Sequence, residues 1–275
     1  AASIAERVQI ARGDVVVLDL TGATKSMAVG AYMGLRNQVG LALTTVCLQP
    51  GGMLEDATTG NALNSRVVLL PEEVLAWNGR TDPKMTWQGG PNDALPAEIE
   101  ERRGVCAHLF GKPPKGNTDT MAAILNAAPP AGFQVQGADW LAPAGFLTHN
   151  QWLEEHTLHV ARSVLAGHLE SRLALSVELR GRVSDESDVV ITRGATVTII
   201  EAKNRAPKGA GTDLQKRVRK ARRDYGSHAQ VIFVNPQWGA EPGTTLDEGP
   251  GVWLVGRSDK ALRTAIEEAT SLGRF

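Results

Sequence analysis

Short apolar runs punctuated by glycine and by charged residues set the rhythm of the chain. Val15–Leu20, Leu41–Leu48, Arg66–Leu70, Leu173–Arg180, Gln230–Val234 and Val252–Val255 are each short and rich in β-branched or aliphatic residues, the signature of strands. Between them, the polarity predicts helices over Ile4–Ala11, Met27–Asn37, Ala97–Phe110, Thr118–Asn126, Asn150–Glu170, Thr212–Gly226 and Ser258–Leu272, the last with Ser258 as its cap. Pro71-Glu72-Glu73 opens a further short helical turn, and Gly52–Ala62 reads as a loop. Strands interleaved with helices predict an α/β protein.

The most informative stretch is Ser184–Arg205, SDESDVVITRGATVTIIEAKNR. A turn at Arg193-Gly194 predicts a hairpin, and alternation puts Glu186, Asp188 and Val190 on one face of its first strand. Ile199, Glu201 and Lys203 share a face of the second. If the turn brings these faces together, carboxylates and an ammonium meet at the end of an oily sheet. Carboxylates forced together repel unless a cation joins them, and hard oxygen donors suit Mg²⁺ or Mn²⁺. The competing reading is a hairpin with its charges on a wet face. Against it, Val197-Thr198-Ile199-Ile200 runs straight into the Glu-Ala-Lys triplet.

In the helix over Asn150–Glu170, Glu154 falls on the apolar arc with Leu158, Ala161 and Leu165, whereas Glu155 projects away from it. A carboxylate on a buried face needs a partner: a metal, a metal-bound water or the helix dipole. Four histidines surround this helix, but no His-x-x-x-His pair encloses a glutamate in the manner of a zinc enzyme. Downstream, residues 203–223 carry nine Lys/Arg against the single acid Asp213, a net +8 beside the acidic cluster. That patch suits phosphate backbones, although Leu214, Val218 and Ala221 could equally pack while the cations stay solvated.

Near the start, Val15–Leu20 runs into Thr21-Gly22-Ala23-Thr24-Lys25-Ser26, a small-residue turn with hydroxyls and a lysine ahead of a helix. Such a turn can cradle a phosphate at the helix N-terminus, or its Thr or Ser can simply cap the helix. It lacks the glycine spacing of a Walker loop.

Leu20–Met27 resembles the Thr-Gly-Gly-Thr-Lys stretch of CARF domains, with Ala23 where a second glycine usually stands. The order of helix, three strands, helix and strand from about Leu147 to Pro236 resembles a PD-(D/E)xK core, with Asp188 thirteen residues ahead of Glu201-Ala202-Lys203. Together these resemble the CRISPR ancillary nucleases, which join a CARF domain to a restriction-endonuclease-like domain. The resemblance implies a Rossmann-like N-terminal module over 1–75, a linker or intermediate region over 76–146, and a nuclease-like domain over 147–275. The family places further strands ahead of Val15, so the resemblance implies a shortened sensor, a sequence that is a piece of a longer one, or a loss of ligand sensing. It implies Glu154, Asp188, Glu201 and Lys203 as catalytic residues, matching Trp152-Leu153-Glu154 to an acidic motif, and Glu154, Glu186, Asp188 and Glu201 as metal ligands. Gln215 and Lys216 match helix residues that approach the site. Thr21, Gly22, Ala23, Thr24 and Lys25 would bind a cyclic oligoadenylate across a homodimer axis. The implied activity is metal-dependent cleavage of DNA or RNA in type III CRISPR antiviral defence.

Composition narrows this little. A net charge of −1 leaves only a local surface for nucleic acid. Cys47 and Cys106 are too few for a disulfide framework or a thiolate metal site. No leader-like segment or membrane-length apolar run is visible, so a soluble cytoplasmic protein without membrane contact is expected. Two other readings compete with the nuclease: a non-catalytic nucleic-acid or cyclic-nucleotide-binding protein, and a DNA repair or restriction endonuclease that needs no activator.

Overall fold

A computed structural model describes residues 15–19, 42–48, 53–57, 61–66, 68–80, 82–114, 133–136, 139–141, 145–147, 149–179, 185–194, 196–204, 210–238 and 251–271. The helices expected at Ile4–Ala11, Met27–Asn37 and Thr118–Asn126, and the whole of Thr21–Lys25, lie outside the described residues.

β1 (Val15–Asp19) and β2 (Ala42–Leu48) pair in parallel. β2 then pairs antiparallel with β3 (Met53–Asp56), and β3 with β4 (Ala62–Arg66), giving a four-stranded sheet in sequence order. β3 falls within Gly52–Ala62, expected to be a loop, and the strand expected at Arg66–Leu70 overlaps β4 only at Arg66. The exposed edge of β2 offers backbone partners that recruit even polar residues into a ladder. Meanwhile Leu69 is buried beside Val74 and Leu75 in a different core.

That core belongs to a six-stranded mixed sheet ordered β12-β11-β10-β9-β8-β5. Its members are β5 (Trp87–Gly89), β8 (Ser171–Leu179), β9 (Asp185–Arg193), β10 (Thr196–Ala202), β11 (Gln230–Val234) and β12 (Val252–Val255). β5, β8, β9 and β10 run antiparallel to their neighbours, while β10, β11 and β12 are parallel. Parallel neighbours need a crossover. Between β10 and β11 the chain makes one through α5 (Ala210–Tyr225), taking the helices in chain order after α1 (Pro71–Trp77), α2 (Ala97–Glu101), α3 (Arg103–Gly111) and α4 (Gln151–Leu165). The final α6 (Asp259–Thr270) is capped by Ser258, whose Oγ accepts the Ala261 N–H at 3.2 Å.

Both faces of the sheet are covered, which is why β10 is buried along its whole length. On one side α3, α4 and α6 bring Leu109, Leu158 and Ile266 over Leu175, Ile191, Ile200 and Ile232. On the other, α1 and α5 bring Leu75 and Val218 over Val190, Ile199 and Phe233. The stretch expected as an intermediate region therefore supplies an edge strand and part of the helical cover. β6 (Gln134–Gln136) and β7 (Asp139–Leu141) form a separate two-stranded ribbon.

Candidate functional site

Gly194, at φ 57°, turns β9 into β10 and sets Val190 opposite Ile199 and Val189 opposite Ile200. One step further along lie Asp188 and Glu201, 2% and 4% exposed. The Asp188 carboxylate takes the place of a ladder partner: its Oδ2 accepts the Ala202 N–H at 2.6 Å. Lys203 Nζ donates to the same carboxylate at 3.0 and 3.3 Å. Glu201 accepts from the Arg217 guanidinium of α5. Lys220, a turn further along the helix, donates to the Glu186 carbonyl at 2.9 Å.

Glu154 enters from the first turn of α4, 7% exposed, and its Oε2 accepts from Ser176 Oγ on β8 at 3.2 Å. Burial first, then the charges of Asp188 and Glu186, push the Glu154 carboxyl up to about 8, against the pull of Lys203 and the Ser176 hydroxyl. Glu201 is pushed up to about 7 by burial and by Asp188, with Arg217 and Lys203 opposing. Glu186, exposed at the margin, is raised by partial desolvation and by Asp188. For Lys203 burial pulls down, but Asp188 and Glu201 outweigh it and hold the ammonium above its usual range. The cluster is thus a set of mutually repelling carboxylates steadied by Lys203, Arg217 and Lys220.

The structure brings Glu154, Asp188, Glu201 and Lys203 together and leaves Glu186 at the edge. Glu155, expected to project outward, is instead fully buried against α3. Arg102 donates to it at 2.5 and 3.0 Å, and Gln151 Nε2 at 3.0 Å. Glu154 does lie on the apolar arc, but α3 covers a second face of α4 that a single arc does not reveal. Gln215 and Lys216 are exposed, whereas Arg217 and Lys220 of α5 reach the cluster. Helical spacing could have found Arg217, since it flanks the Leu214–Val218–Ala221 stripe. Ser176 left only a faint signal, one polar residue in an apolar strand. Three histidines of this region serve the fold: His156 Nε2 meets Asp259 at 2.9 Å, His159 the Ile99 carbonyl at 3.1 Å, and His168 Nδ1 pairs with Arg193 at 2.9 Å.

Among the described residues no three His, Cys, Asp or Glu side chains form a ready-made metal cage. The donor chemistry nevertheless suits a hard divalent ion. Mg²⁺ keeps much of its water and is commonly held by one or two carboxylates plus substrate phosphate rather than by a complete protein cage. Asp188 and Glu201, with Glu154 beside them, supply such oxygens, each now engaged by a donor that an incoming ion could replace.

Solved structures share this fold. Protein VC1899 from Vibrio cholerae matches with a TM-score of 0.63 at 13% identity, over 97% of this chain and 77% of that one. Can2 from Sulfobacillus thermosulfidooxidans, solved in complex with cyclic tetra-adenylate, matches with a TM-score of 0.55 at 16% identity, over 92% of this chain and 74% of that one. A type III CRISPR defence DNA nuclease activated by cyclic oligoadenylate gives 0.57 at 17% identity, over 90% of this chain but 35% of its own length. No protein-family model matches the chain, and no curated protein matches it in sequence. What is shared at these identities is the mixed α/β fold itself. No described helix is long and apolar enough to cross a membrane.

Proposed function

We propose that the chain is a metal-dependent nuclease of the CRISPR ancillary type, activated by a cyclic oligoadenylate. The observation that carries this reading is the convergence of Asp188, Glu201 and Lys203 at the end of the β9–β10 hairpin, with Glu154 arriving from α4. The likeness in fold to a nuclease activated by cyclic oligoadenylate, and to a protein holding cyclic tetra-adenylate, supports it.

In this reading Glu154, Asp188 and Glu201 hold one or two Mg²⁺ or Mn²⁺ ions, with Glu186 as a marginal ligand. The ion, when bound, supplies a nucleophilic water at neutral pH and neutralises charge on the phosphoryl oxygens. Lys203, anchored on Asp188, presents its ammonium where negative charge develops. The cations of α5 bind the phosphate backbone and set its position. The four-stranded N-terminal sheet, up to about residue 66, forms the sensor module, with Thr21, Gly22, Ala23, Thr24 and Lys25 of two subunits around the activator. The nuclease-like module then begins near residue 68 and takes in much of the region between.

A second reading follows from Arg217 and Lys203 already neutralising Glu201 and Asp188. In it, the chain binds nucleic acid or a cyclic nucleotide without cutting. One experiment separates the two. Supercoiled DNA, single-stranded DNA and RNA are incubated with Mg²⁺ or Mn²⁺, each with and without cyclic tetra- or hexa-adenylate, with Glu201→Gln and Asp188→Asn alongside. The nuclease reading expects cleavage that needs the metal and rises with one activator. Both variants should lose at least about 100-fold in rate, the size of effect typical of losing one preorganised charged group. Cleavage indifferent to either ring points to an activator-independent repair or restriction enzyme. Absence of cleavage under every condition, with binding unchanged in both variants, overturns the enzyme.

A further inference from the structure

We propose that Ser176 is a positioning residue of this site: its left-handed backbone breaks the alternation of β8 and delivers its hydroxyl to Glu154. The inference rests on the nuclease reading and names a further residue for it.

Among the described residues three non-glycine positions have positive φ: Asp82 at 59°, Asn150 at 66° and Ser176 at 50°. Asp82 lies in a bend and Asn150 caps α4, and both residue types tolerate that region. Ser176 lies inside a strand, where a left-handed residue disrupts the ladder on both sides. Toward β9 the register runs through Leu175↔Val189 and resumes at Val177↔Ser187, with no pair at Ser176. Toward β5, Thr86 N–H bonds the Leu175 carbonyl, and the next contact is the Lys84–Glu178 bridge.

The side chains record the same break. In an unbroken strand residues 173, 175, 177 and 179 share one face. Here Leu173 and Leu175 belong to the core under α4, but Val177 and Leu179 belong to the core under α5. The switch occurs at Ser176, half-buried, whose Oγ then reaches Glu154 at 3.2 Å. Glycine would make the same turn with less strain. Serine adds a hydroxyl donor to the one acid of the cluster that comes from a helix. Strained backbone that persists beside such a group is explained when the bond it makes is used.

The test compares Ser176→Gly, Ser176→Ala and Ser176→Asn with the parent, in the full chain. Measurements are melting temperature, Mn²⁺ binding by calorimetry, and kcat and KM for cleavage of the best substrate. Glycine fits the backbone, so Ser176→Gly is expected to melt no lower than the parent, which separates loss of function from misfolding. Both Ser176→Gly and Ser176→Ala should bind Mn²⁺ about 10-fold more weakly or worse, the usual cost of losing a group that orients a ligand. The cleavage loss should fall on kcat, with KM little changed. Ser176→Asn keeps an N–H donor and tolerates positive φ, and is expected to recover part of both. Parental Mn²⁺ affinity and kcat in Ser176→Gly would show that the residue serves only the backbone, leaving the nuclease intact. If the parent itself neither binds Mn²⁺ nor cuts, the nuclease reading falls and takes Ser176 with it.

Discussion

Glu154 and Glu201 are held where a carboxylate ionises reluctantly, with pKa values of about 8 and about 7 against an ordinary 4.5. A carboxyl raised on folding stabilises the fold when protonated. Its contribution is complete below about 4.5 and is lost as pH rises through about 7 for Glu201 and about 8 for Glu154. The metal-free protein is therefore expected to melt progressively lower between pH 5 and 8. Mn²⁺ or Mg²⁺ favours the ionised carboxylates, so its addition should raise the melting temperature more at pH 8 than at pH 5, with protons released on binding. Differential scanning fluorimetry across pH, with and without metal, checks both signs. An equal metal effect at both pH values would separate the ion from these carboxyls. Asp188, Glu201 and Lys203 were legible from strand alternation, and Glu154 from helical phase. Glu155 was not, because its partner Arg102 lies 53 residues away and nothing local announces the pairing.

Helix α5 combines a buried stripe of Leu214, Val218 and Ala221 with a dense set of cations. Such a helix owes much of its stability to the stripe rather than to its charges. Arg217 and Lys220 turn inward to the acidic cluster, while Lys216 and Arg219 are exposed. Replacing the exposed Lys216 by glutamine should leave folding unchanged and weaken nucleic-acid binding for all sequences alike. The slope of log affinity against log salt should flatten by about 1 for each phosphate contact removed. Fluorescence anisotropy over a range of salt measures it, and an unaltered slope would make α5 a solvated face. The hairpin of β3 and β4 gives the opposite lesson. Its residues carry no clear strand pattern, and pairing with β2 decides their conformation.

Across the whole molecule, the two-sided cover of the large sheet explains why the middle of the chain cannot act as a bare connector. β5 extends the sheet, α1 closes one face, and α3 seals the other against α4 through the Arg102–Glu155 pair. Burial pulls the Arg102 guanidinium down, but Glu155 more than offsets this and keeps it charged. A buried pair costs most when only one member is removed. Arg102→Met is expected to destabilise the protein by about 3–5 kcal/mol, read by urea denaturation. Arg102→Met combined with Glu155→Leu should recover much of that loss. A single variant as stable as the parent would mean that the pair contributes nothing.

Periodicity and residue chemistry were enough to specify an α/β chain, the β9–β10 hairpin with its turn, the capped final helix, and the acids and lysine that end up together. These are local properties: alternation, helical phase and turn chemistry act within a few residues of themselves. The partners of Glu155, the arrival of Arg217 and Lys220, the role of β5 as an edge strand and the reversal of faces at Ser176 depend on which distant segments pack side by side. Long-range packing of this kind leaves no period in the chain, because each contact joins residues whose separation along the sequence is set by loops rather than by geometry.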